Sequence, residues 1–195
     1  MMELLTTAEF LAWAATHGIG YDPRYPRSGS LVFLAALDAW RTWEPPADVG
    51  ELAWFVDLVL RTAAGDQDLF LFPRHAGHWY TGGRARPWAN DALDVIVRGA
   101  GIPSGFVGAA RCGPGERAPG TALAVGSLIF GWETSQDLFI IPEAATCILM
   151  IDHHRQVLGA FRVMAARDAF SATLVAAGYL DPEADEETGL AGPAI

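Results

Sequence analysis

A near-repeat constrains this chain more than any other feature. The segment Gln67-Asp68-Leu69-Phe70-Leu71-Phe72-Pro73 returns 69 residues later as Gln136-Asp137-Leu138-Phe139-Ile140-Ile141-Pro142. After the leading Gln-Asp, every matched position is apolar or a proline that removes a backbone donor, which is what a buried strand with a defined exit requires. The repeat therefore speaks to architecture rather than chemistry. It predicts two hairpins of similar shape, over residues 68–80 and 138–152, and an α+β domain in which two helix-strand-strand-helix units form an antiparallel sheet of short hairpins covered by helices. Because the strands are apolar on both faces, cover is expected on both sides.

Composition sets the scale. A chain of 195 residues with 51% hydrophobic and 18% charged residues can bury one substantial core. Residues 1–180 read as a single globular domain, and 181–195, with the run Glu183-Ala184-Asp185-Glu186-Glu187, as a solvated acidic tail. Thirteen basic residues, all arginine, stand against 23 acidic ones for a net charge of −10, so the overall field repels a phosphate backbone and nucleic acid is a poor partner. The longest uncharged run, between Arg117 and Glu133, contains Pro119, Gly120, Gly126 and Gly131. It falls short of the roughly 20 apolar residues that a membrane span needs. Glu9 interrupts the first apolar stretch, and Cys147 sits inside the run Cys147-Ile148-Leu149-Met150-Ile151 as a core side chain would. These features read as a reduced, cytoplasmic protein.

Element boundaries follow from capping and periodicity. Thr6 with Glu9 has the capping-box spacing ahead of Phe10, Leu11, Trp13 and Ala14, with Gly18 as the stop; Asp48 with Glu51 repeats it ahead of Leu52, Phe55, Val56, Val59 and Leu60, with Gly65 as the stop. Asn90 is placed to cap a helix over 90–98, and 165–177 reads as the final helix. Residues 21–29 read as a loop and 113–120 as an exposed turn-rich loop. Residues 31–43 are expected to be helical, with a short strand at Leu31 to Leu34 as the alternative. Residues 121–131 fit a buried helix or a strand, and the repeat favours helix because a helix precedes its first copy. The second copy continues into a strand at 147–152, a tight turn at His153-His154-Arg155 and a third strand over 156–162.

Few residues could carry chemistry. His75 and His78 lie across a turn, and they could join Asp152 and His154 as metal ligands if the two units pack as similar halves. Strands also place histidines on solvated faces without any ligand, and no metal or other cofactor is expected. Asp66, Asp68, Glu133 and Asp137 flank the repeated strands and could be paired for acid-base work, with solvated charges at strand ends as the simpler reading. There is no Gly-x-Ser-x-Gly elbow, phosphate loop or dinucleotide fingerprint. Of the seven tryptophans, Trp40, Trp43, Trp79 and Trp88 lie near loops or element ends, where a large ring can serve as a contact anchor or pack into the core.

Asp152-His153-His154, following a hydrophobic run, resembles the signature tripeptide of the DHH phosphoesterases, which implies a divalent metal pair held by a strand-borne Asp and His. The resemblance covers only that strand and those three residues; the chain lacks an aspartate-rich Asp-x-Asp segment in its N-terminal half, and a polar hairpin turn is the simpler reading. The tract from Gly131-Trp132 through the second repeat to Asp152-His153-His154, with Phe10-Leu11-Ala12-Trp13-Ala14, looks like a pattern in uncharacterised bacterial proteins and implies no activity. A similarity of type is to the small acidic immunity proteins of bacterial toxin systems. The expectation is a non-enzymatic, immunity-like or adaptor-like protein that binds a more basic protein, with a metal-dependent phosphoesterase or other hydrolase using Asp152, His153 and His154 as the alternative.

Overall fold

A computed structural model describes residues 2–22, 30–34, 41–80 and 86–179. In chain order the elements are β1 (Glu3–Thr6), α1 (Thr7–Thr16), β2 (Ile19–Asp22), β3 (Ser30–Phe33), β4 (Arg41–Trp43), α2 (Val49–Ala64), β5 (Leu69–Pro73), α3 (Pro87–Gly99), β6 (Gly108–Cys112), α4 (Arg117–Thr134), β7 (Leu138–Pro142), β8 (Cys147–Ile151), β9 (Val157–Phe161) and α5 (Met164–Ala176), with a 3-10 turn at Pro114–Glu116 before α4. The class is α+β. Seven strands form an antiparallel sheet in the order β1-β6-β5-β7-β8-β9-β4, and β2 pairs with β3 in a separate two-stranded ribbon.

The near-repeat becomes the centre of this sheet. Strands β5 and β7 are its two copies, and they pair directly with each other, Leu69 opposite Pro142, Leu71 opposite Ile140 and Pro73 opposite Leu138. Leu71 and Ile140 are both equivalent in the repeat and partners in the ladder, so the copies are related by a local twofold through that pair. The relation extends beyond the strands: Glu143 N–H donates to the Asp68 carbonyl at 2.9 Å, and Arg74 N–H donates to the Asp137 carbonyl at 3.0 Å. Each copy is entered from a long helix, α2 or α4, and these two helices pack on one another.

Strand alternation divides the interior in two. Leu69, Leu71, Leu138, Ile140, Leu149 and Ile151 point to the layer of α2, α3, α4 and α5. Phe70, Phe72, Phe139, Ile141 and Ile148 point the other way, where Phe10 and Ala14 of α1 and Ile19, Leu31 and Phe33 of the ribbon cover them. The sheet is thus buried on both faces. The capping signals also hold. Thr6 and Glu9 form a reciprocal capping box, and its hydrogen bonds from the Thr6 hydroxyl and backbone draw the Glu9 carboxyl below its usual range. The Asp48 side chain accepts from Glu51 N–H.

Four expectations need correction. Residues 68–80 are not a hairpin: both hydrogen-bonding edges of β5 are occupied, by β7 and β6, which leaves no place for a return strand, and His78 contributes only an isolated bridge to Val107. Of residues 31–43, those described at the start and end lie in strands β3 and β4 rather than a helix, as the alternative strand at Leu31 to Leu34 had it: Leu31 and Phe33 are buried on either side of exposed Val32, a period of two, and residues 35–40 lie outside the described residues. The third helix starts at Pro87, whose missing donor suits a first helical position, rather than at Asn90. The loop expected over 113–120 is cut short by α4. That helix begins at buried Arg117, whose guanidinium donates to the carbonyls of Leu60, Gly65 and Gln67 and so closes the C-terminal end of α2. The acidic segment 181–195 and most of the 21–29 loop lie outside the described residues.

Gly108 is where β1 joins the sheet. Its φ is +152°, and a Cβ there would lie 2.0 Å from the Leu5 carbonyl oxygen and 2.9 Å from Phe106 Cζ. Gly108→Ala is expected to lower stability by about 3 kcal/mol or more through backbone overlap and strain. Gly115→Ala, where an added Cβ meets nothing within 4 Å, is expected to change it by no more than about 0.5 kcal/mol. Urea denaturation of the two variants checks the contrast.

Candidate functional site

The polar candidates collect at one end of the central strand pair. The turn after β5 brings Arg74 and His75, the segment between α4 and β7 brings Ser135, Gln136 and Asp137, and the turn after β8 brings Asp152, His153 and His154. Asp137 is the hub, only 2% exposed. One carboxylate oxygen is ion-paired with the buried Arg74 guanidinium. The other accepts both the His153 backbone N–H and its ring Nδ1, each at 2.8 Å. Reading Asp137 as a solvated strand-end charge is therefore wrong. A carboxylate this deep persists because a guanidinium and two N–H donors replace its lost hydration.

Asp152 is committed to turn geometry. Its Oδ1 accepts from His154 N–H at 2.9 Å and Gln156 N–H at 3.0 Å, which closes the β8–β9 turn. His75 reaches the Ser135 carbonyl through Nε2 at 2.9 Å, and His78 is exposed. Among the described residues, no group of three or more His, Cys, Asp or Glu side chains is placed to hold a metal ion, so His75, His78, Asp152 and His154 do not form one ligand set. Asp152, His153 and His154 likewise do not converge as an acid-base set: His153 is held by Asp137, while Asp152 serves the backbone. The Asp137–His153 arrangement fixes a proton on Nδ1 and leaves Nε2 as the ring's other nitrogen, the orientation of a general base. Among the described residues no serine, threonine or cysteine side chain is hydrogen-bonded to it as a nucleophile.

Aromatic side chains flank this polar end. Trp132, in the last turn of α4, is 62% exposed, with its ring centroid 5.4 Å from that of His154, whose ring is tilted against that of His153 at 4.1 Å. Close approach is possible because Gly131 sits on the turn, where a Cβ would come within 3.2 Å of His153 Cα. On the other side of α4, Trp88 of α3 is 55% exposed and meets Phe130 edge-on, and Arg86 pairs with Glu133 at 3.1 Å. Trp54, on the outward side of α2, is 72% exposed.

The tryptophan expectations divide accordingly. Trp88 is a surface residue. Trp43 and Trp79 are core residues at 2% exposure, unavailable as anchors: Trp43 packs on Phe161 and Phe170, and Trp79 donates its indole N–H to the Gly108 carbonyl at 3.0 Å. Trp40 lies outside the described residues. Trp54 and Trp132 were missed, although the signal was present. Trp54 falls off the helical stripe made by Leu52, Phe55, Val56, Val59 and Leu60, and Trp132 continues the spacing of Ala118, Ala122, Val125 and Ile129 on the face of α4 turned from the sheet.

No protein-family model, curated protein or solved structure matches this chain. The geometry of the site therefore carries the functional reading.

Because Asp137 is buried and serves three donors, Asp137→Ala breaks a buried ion pair and two further hydrogen bonds and is expected to cost about 3–5 kcal/mol of stability. Asp152→Ala removes two turn hydrogen bonds from a less enclosed carboxylate and is expected to cost about 1–3 kcal/mol. Equilibrium unfolding of both variants tests the ranking.

Proposed function

We propose that this chain is a non-enzymatic protein-binding factor of the immunity or adaptor kind, acting on a partner more basic than itself. The observation that carries the reading is that Trp54, Trp88 and Trp132 stay exposed on the helical layer, while the acid-base candidates Asp137, Asp152 and His153 are tied into the fold's own hydrogen bonds. Large rings are enriched where partners bind, and three on one layer leave apolar area that association would remove from water. The net charge of −10 favours encounter with a basic partner and disfavours nucleic acid.

A reducing, cytoplasmic setting belongs to the same reading. Cys112 and Cys147 are free and buried, and burial pushes both thiols up to about 12. No helix among the described residues is long and apolar enough to cross a membrane.

Capture from the source cell, followed by binding kinetics at two salt concentrations, tests the proposal. A specific basic partner is expected, with an on-rate that falls as salt rises while the off-rate changes less. Trp88→Ala or Trp132→Ala is expected to weaken binding by about 2 kcal/mol or more if that ring is an anchor, with the far-UV spectrum and melting temperature retained. Turnover of a phosphoester by the pure protein, lost in His153→Ala and without any specific partner, would replace this reading with the hydrolase.

A further inference from the structure

We draw no further inference here: the strongest candidate, the open cleft of about 360 Å³ between α2 and α5 over Cys147 and Phe161, has no charged side chain in its lining, and nothing in the structure shows what fills it.

Discussion

The antiparallel pairing of β5 with β7 is the constraint on which the rest of the structure depends. Two strands with the same alternation, paired about Leu71 and Ile140, send their phenylalanines to one face and their leucines to the other. Each face then needs its own cover. The aromatic face is closed by α1 and the β2–β3 ribbon, and the aliphatic face by four helices. Because both strands are enclosed on both faces and both edges, their ladder forms in an environment without competing water, where backbone pairing is hardest to replace.

The local twofold is backbone-deep but not chemical. At one end, the Asp of the second copy is buried and paired with Arg74 and His153. At the other, Asp68 of the first copy is part of a more open group in which Arg111 meets Asp68, Glu3 and Glu143. The same Gln-Asp lead thus supplies a structural ion pair at one end and a solvent-screened network at the other. The difference comes from the path of the chain after each strand. Beyond β7 the chain turns at once into β8 and β9, and the β8–β9 turn folds back over Asp137; beyond β5 it departs into α3.

Helix α4 connects the two halves of the molecule. Its first residue, Arg117, donates to the Leu60 carbonyl of α2 and to those of Gly65 and Gln67 just past it, its glycines seat it on the sheet and on α3, and its last turn carries Trp132 to the histidine turn. A helix committed to so many close contacts has little freedom to hold charge on its packed faces. Its outward face, free of that restriction, is apolar as well. Packing accounts for the small residues and for Val125 and Ile129, which lie half-buried against the helical core, and it does not account for exposed Trp132.

Sequence alone determined the elements whose signals are local. The capped starts of α1 and α2, the run β7-β8-β9 and the final helix follow from side chains within a few residues of each boundary and from a periodicity that solvent imposes on one chain segment. The two-faced burial of the sheet was legible in the same way, from strands without a polar face. Tertiary structure decided the rest, because it depends on partners far apart in the chain. Which strand lies beside β5 determines that residues 68–80 cannot be a hairpin. The approach of Arg74 and His153 turns Asp137 from a strand-end charge into a buried hub, and neighbours from other elements enclose Trp43 and Trp79 while leaving Trp88 and Trp132 in water. A local pattern records what a segment prefers; burial of a particular ring or carboxylate is a property of the contacts that long-range folding brings to it.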